Sequence, residues 1–322
     1  MQRADSMNAQ GDELAGLRRE VSERQAAWVS AWLSRQGEPP RGILYHYTTA
    51  AGLLGILASG KFWATHLNYL NDPTELDYGV GLVRGALHAE ANRRKSGAVA
   101  ALLATTARNF NPFGLLNAYA VCFCEQGDQL SQWRGYGNTG GGYALGVAPR
   151  AVAADLPPEP KISLRRVVYD RTEQSTLIED SVRAFAMHAD GVFEKRWPIA
   201  IQEEAATILR NAFRQEVGDF LWCFKNPGFH EEREWRFVYI TGPVDPAPMS
   251  VCFRPSQDGV VPYVELDLFL LRQGEEKHLG ISEVVCGPTL HPLHGQSAVR
   301  MAISAYGYKD VAVRQSVVPL RA

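Results

Sequence analysis

The chain has 322 residues, with 33 Lys plus Arg against 35 Asp plus Glu, for a formal net charge of −2. That balance excludes a strongly basic protein that grips duplex DNA by neutralising phosphates over its whole surface. A hydrophobic content of 46% is ample to bury a core. Five cysteines, odd in number and set in apolar runs, fit reduced thiols in a cytoplasmic protein better than a disulfide framework. No apolar leader and no run approaching the ~20 apolar residues of a membrane span is present, so no membrane partner is expected.

In chain order, Leu14, Leu17, Val21, Trp28 and Trp32 recur near a helical period and predict an amphipathic helix that stops before Gly37 and Pro39-Pro40. Residues 1–40 read as this helix, either packed as a cap or presented to a partner, and 41–322 as one α+β domain. Residues 43–48 read as a strand, 50–58 as a helix stopping at Gly60, and 61–66 as a second strand. Helical patterns follow over about 74–94 and 97–109. "AYAVCFCE", "GGYALGVA" and "ISLRRVVY" are strands, and about 171–216 reads as a helical insertion. "REWRFVYIT", "PYVELDL" and "ISEVVCG" are strands, with a helix over "GQSAVRMAISAYG" and a last strand at 310–318. The irregular alternation lacks the βαβ rhythm of a doubly wound sheet and predicts α+β, with a mixed or antiparallel sheet core and peripheral helices.

Four constellations carry chemistry. On the first strand His46 and Thr48 share one face, and Tyr45 and Tyr47 the other. An imidazole and a hydroxyl side by side suit a sugar hydroxyl or an amide; a half-buried strand bonding its neighbours needs the same residues. Asn71-Asp72-Pro73-Thr74 is a turn with a helix cap, and Asn71 and Asp72 are expected to line a pocket as well. Trp133, Arg134 and Tyr136 precede Gly140-Gly141-Gly142 and suit stacking and phosphate contact. The glycines match neither a Walker loop nor a dinucleotide-binding turn. In "FHEEREWRFVYI" an extended backbone puts Glu232, Glu234 and Arg236 on one face. A carboxylate there suits stabilisation of an oxocarbenium-like centre, with Arg236 keeping its neighbour ionised. Cys122 and Cys124 form C-x-C with no second pair at metal-site spacing, and no metal is expected.

"LYHYT", "SGKFWAT", "NDPTE", "VCFCE", "QWRGYGNTGGGYALGV", "EREWRFV" and "EVVCGP", in that order over about 43–290, resemble the domain-of-unknown-function 2971 (DUF2971) family. The chain departs from that pattern in having Asn138-Thr139-Gly140 where such proteins often carry a histidine. His46-Tyr47-Thr48, a helix ending at Ser59-Gly60 and a second strand look, more loosely, like the opening of ADP-ribosyltransferases. That likeness implies an ADP-ribosyltransferase-like sheet and NAD as the substrate. His46 would bond a ribose hydroxyl, and the backbone around Tyr47 would hold the carboxamide. Tyr69, Trp133 or Tyr136 would stack on nicotinamide, Arg134 would meet the pyrophosphate, and Glu232 or Glu234 would be the catalytic glutamate.

The expectation is thus an NAD-consuming enzyme that transfers ADP-ribose to a protein or nucleic-acid acceptor. Such enzymes often serve as bacterial toxins, effectors or phage-defence proteins, and a neutralising partner would accompany a harmful activity. A non-catalytic nucleotide-binding or protein-interaction module is the alternative. A nuclease gathering Asp72, Glu75, Glu232 and Glu234 around a metal is a third reading.

Overall fold

The computed structural model describes residues 2–70, 74–94, 97–111, 117–136, 141–148, 162–195, 197–241, 249–256, 259–267, 280–289 and 291–319. Asn71 and Asp72 lie outside the described residues, as does the Asn138-Thr139-Gly140 departure, and so does the side chain of Tyr136. The described residues form an α+β fold with a mixed ten-stranded sheet.

The expectation of one domain after residue 40 is revised. The chain divides into two compact units, one built from Met1–Gly37, Asp72–Leu116 and Val168–Pro227, the other from Glu38–Asn71, Asn117–Val167 and Gly228–Ala322. Helices with one apolar stripe must bury it on one another, so three separate stretches of chain combine into one helical unit. Its helices are α1 (Gln2–Arg35), α3 (Thr74–Arg93), α4 (Ala98–Arg108), α6 (Arg171–Glu194) and α7 (Ile199–Leu221). The first of these packs Leu14, Leu17, Val21 and Trp32 into the helical core, the cap reading of the N-terminal helix. Arg24 on α1 meets the buried Glu216 of α7 at 2.9 Å. Asp170 caps α6 by accepting from the Glu173 amide at 2.8 Å. The predicted single helical insertion is two helices, because Pro198 bars a helical conformation just before it and begins α7. Among the described residues no helix is long and apolar enough to cross a membrane.

The second unit carries the sheet: β1 (Leu44–Thr48), β2 (Phe62–His66), β3 (Asn117–Cys124), β4 (Tyr143–Val147), β5 (Ile162–Arg166), β6 (Glu234–Thr241), β7 (Val251–Ser256), β8 (Gly259–Leu266), β9 (Ile281–Cys286) and β10 (Ala312–Gln315). Among the described strands, only β9 and β10 pair in parallel. Helix α2 (Ala50–Ser59) follows β1, capped by the Thr49 hydroxyl and stopped by Gly60 at φ 68, the left-handed turn that favours glycine. Its Leu53, Ile56 and Leu57 pack in one core with Val299 and Ile303 of α8 (Pro292–Ala305). Two elements depart from expectation. Leu130–Tyr136 forms a short helix, α5. β7 forms despite Pro255, because it ends the strand order and a proline on an edge sacrifices no ladder bond.

Strand β3 sets the geometry of the site. β6 pairs with β3 along its whole length, from Asn117↔Thr241 to Cys124↔Glu234. The other edge of β3 is shared: β1 meets it at Tyr45↔Cys124, whereas β2 meets it at Thr65↔Ala120 and His66↔Tyr119. From there β1 leads through β4 and β9 to β10, and β2 leads through β8 to β7. The sheet therefore forks at β3, and backbone groups of β3 at the fork need partners other than a continuous strand.

Candidate functional site

At the fork stands His46. Its ring packs edge-on against Phe62 of β2, centroids 5.3 Å apart, and tilted against Phe123 of β3 at 5.6 Å. A carbonyl can only accept, so the 2.9 Å contact to the Cys122 oxygen fixes Nδ1 as the protonated nitrogen. An imidazole thus occupies a backbone valence where β1 and β2 part. Nε2 is left as an acceptor, and among the described residues nothing bonds it. Burial pushes the imidazole down from 6.5 to about 4; the Cys122 carbonyl opposes that shift, and the charge of Arg254 adds to it. His46 is neutral at physiological pH.

The predicted alternation along β1 holds. Tyr45 pairs with Cys124 and Cys124 with Glu234, so these three share a face, and His46 points to the other. Thr48, on the His46 side, is packed against α2: a Cβ added at Gly52 would fall 2.0 Å from its hydroxyl oxygen.

The opposite face is closed by its own hydrogen bonds. Tyr47 donates to the Gln126 carbonyl at 2.8 Å and accepts from the Gln129 amide at 3.1 Å. Burial drives its hydroxyl well above the ordinary tyrosine range. Trp133 of α5 stands edge-on to Tyr47 at 4.8 Å and donates Nε1 to Asp128 at 2.7 Å. Asp128 also accepts from the Ser316 hydroxyl and, at 2.8 Å, from the Val317 amide. Beside them Tyr45 donates to Glu283, whose second oxygen takes the Arg314 Nε–H at 2.8 Å. Glycine makes room for Tyr45, since a Cβ at Gly127 would lie 2.3 Å from its ring.

Several expected groupings are corrected. Trp133 is buried and committed to Asp128, so it is no stacking platform for a bound ring. The stripe of Glu232, Glu234 and Arg236 does not form, because Pro227–Glu232 is a 3-10 turn and the strand starts at Glu234. Arg233, between them, takes φ 43, a left-handed conformation that resets the direction of the chain. Glu234 is buried on the face away from His46, with Arg236 donating to it twice, at 2.7 and 3.0 Å. His46 and Glu234 therefore do not meet across one cleft on the same sheet face. Glu232 is half-buried at the end of its turn. Tyr69 is 49% exposed in the turn after β2, edge-on to His66 at 5.7 Å, and Arg134 is exposed on α5. Glu75, offered above as a metal ligand, is ion-paired with Lys225 at 2.8 Å. Among the described residues no three His, Cys, Asp or Glu side chains gather as for a metal ion.

Sequence reasoning did not single out Arg254 or Thr65. Arg254 of β7 donates to the Thr65 hydroxyl of β2 at 2.9 Å, a bond between residues 189 apart that no local pattern announces. Glu125, which ends the "VCFCE" motif, accepts from Trp235 Nε1 at 3.0 Å and was also passed over.

Fold and site together define an α+β protein whose forked sheet holds a neutral, half-buried imidazole with one nitrogen unspent. Residues 132–237 match the model of a protein family of unknown function, DUF2971. Within that stretch the family resemblance drawn from "QWRGYGNTGGGYALGV" and "EREWRF" is borne out. The remaining motifs fall outside it. No curated protein and no solved structure matches the chain.

Proposed function

We propose that the protein is an NAD-consuming, ADP-ribosyltransferase-like enzyme of the cytoplasm. It would break the bond between nicotinamide and ribose and pass ADP-ribose to a macromolecular acceptor, in the service of toxicity or phage defence. The observation that carries the reading is His46. Its Nδ1–H is spent on the Cys122 carbonyl, so the neutral Nε2 is set to accept from a ribose hydroxyl beside a strand–helix–glycine–strand order like that of the transferases. A ribose diol supplies the hydroxyl donors that a neutral ring acceptor flanked by Phe62 and Phe123 takes. In the reaction the C–N bond pair leaves with neutral nicotinamide. The acceptor's nucleophile bonds the ribosyl carbon and releases its proton to solvent, and a carboxylate stabilises the cationic centre between. Glu232 is the member of the glutamate pair for that role, since Glu234 is locked to Arg236 on the other face.

Nicotinamide release from NAD by the full-length protein, with lysate as acceptor source, tests the reading. Release that falls at least a hundredfold in both His46→Ala and Glu232→Ala is the expected result. No release by the wild type sinks the enzymatic reading. The buried Glu234–Arg236 pair favours a second one, a nucleotide-binding module without turnover, which predicts NAD-dependent thermal stabilisation and no nicotinamide.

A further inference from the structure

In the helical unit Arg18 meets Glu204, Arg24 meets Glu216 and Arg94 meets Asp190. A group of four arginines differs. Arg84 of α3, Arg108 at the end of α4, and Arg210 and Arg214 of α7 have no carboxylate partner among the described residues. They converge where α4 ends. Arg214 donates to the Asn109 carbonyl and Arg84 to the next one, Phe110, both at 3.2 Å. Arg210 lies one helical turn before Arg214 and donates to the Thr207 hydroxyl at 2.8 Å. Arg108 donates to the Thr105 hydroxyl at 3.0 Å. Arg84 and Arg108 are exposed, and the other two are half-buried. Burial and the like charge of Arg214 push Arg210 below the ordinary guanidinium range.

Capping accounts for part of this. The carbonyl end of a helix carries about half a negative charge, which favours a cation there. Four guanidinium groups exceed that severalfold, and like charges held together repel. The surface around them is also poor in apolar anchors. Among the described residues, α3 and α4 expose no large apolar side chain, and α7 exposes only Ile199, about three turns before Arg210. A protein partner needs an apolar core to its interface, whereas a phosphate backbone is met by a polar, positively charged surface.

We infer that this arginine cluster is a docking site for the phosphate backbone of a single nucleic-acid strand. Guanidinium donors fork onto phosphate oxygens, and charges presented by three helices suit a chain of phosphates better than one alone. Such contacts read no base sequence. The net charge of −2 is no obstacle, because at 0.1 M salt distant surface charges are screened beyond about 10 Å. The four arginines all belong to the helical unit, and the inference does not rest on the NAD reading.

Fluorescence anisotropy of a short labelled single-stranded RNA of mixed sequence, titrated with the full-length protein, tests this. Affinity should fall with salt, with a slope of log affinity against log salt of about −2.8 for four phosphates. The double variant Arg108→Gln/Arg210→Gln should bind at least tenfold more weakly, with a slope shallower by about 1.4. It keeps both bonds to the α4 carbonyls, so its ligand-free thermal melt should match the wild type. Arg18→Gln, which removes a guanidinium already matched by Glu204, should leave affinity and slope unchanged. A second RNA of different sequence should bind equally well. RNA binding unchanged in the double variant overturns the inference, as does a wild type that binds no RNA. Tighter binding, through the same arginines, of a polyglutamate peptide or of phosphatidylserine vesicles would overturn the nucleic-acid assignment.

Discussion

The two sides of β1 meet opposite fates. On one side Tyr45 and Tyr47 enter a network in which Asp128, Glu283, Arg314 and the loop at Gln126–Gln129 use up the hydroxyls, the carboxylates and the Trp133 indole. On the other side His46 spends one nitrogen on a backbone carbonyl and keeps the second. One strand thus fastens the fold with its odd-numbered side chains and offers chemistry with an even-numbered one. A hydrogen-bonding group whose capacity is all used holds structure together. A half-used one, kept in place by aromatic walls, is what a ligand can complete.

The largest expected effect tests the closed side at its most buried pair. Glu234→Ala should lower stability by about 3–4 kcal/mol, because it leaves Arg236 charged and without that carboxylate in the interior. Urea unfolding measures this. A loss of nicotinamide release in Glu234→Gln with stability intact would contradict a fastening role for Glu234. Next comes Asp128→Ala, expected to lower stability by about 3 kcal/mol through the buried Trp133 N–H that it orphans. Asp128→Asn, which keeps an acceptor oxygen, should lose about 1 kcal/mol. Gly127→Ala should lower stability by about 2 kcal/mol, as the new methyl collides with Tyr45. Combining it with Tyr45→Ala should give a clearly non-additive double-mutant cycle, and additivity would show that the ring does not occupy the glycine slot.

The smallest effect belongs to the open side. His46→Asn, which removes a ring packed on Phe62 and Phe123, should lower stability at pH 7 by about 1 kcal/mol. Its signature lies in acid. The folded imidazole titrates at about 4 and the unfolded one at 6.5, so below pH 6.5 the unfolded state takes up the proton first. Wild-type stability therefore falls between those two values, by about 1 kcal/mol after solvent screening, and is flat for this group above them. The difference between wild type and His46→Asn across that window isolates the effect, and equal acid sensitivity of the two would show that His46 is not held neutral. Ligand binding through Nε2 should by the same reasoning stay constant from pH 8 to about 5.

Much of the fold was legible because it is local. The period of Leu14, Leu17, Val21 and Trp32 gave α1 its buried stripe, the Thr49 cap and Gly60 stop bounded α2, and alternation placed His46 and Tyr47 on opposite faces. The site was legible in part. His46 stood out by type and place, but Trp133 looked like a stacking platform until Asp128 claimed its indole. The Glu-x-Glu spacing looked like a stripe until Arg233 broke the extended backbone that the spacing assumed. β7 was missed because a strand with a proline is tolerated at an edge, and a sequence does not say which strand will be the edge.

By itself, then, the sequence determined which side chains leave β1 on which face, because that depends on adjacent bonds alone. Tertiary structure decided which of those side chains would keep a valence to spare. His46 meets Cys122 across 76 residues, and Tyr45 meets Glu283 across 238. The fork that brings in the first of these is a matter of strand pairing at long range. Hydrogen-bond satisfaction is settled by such distant partners, and it is satisfaction that separates the fastening tyrosines from the histidine left open to a ligand.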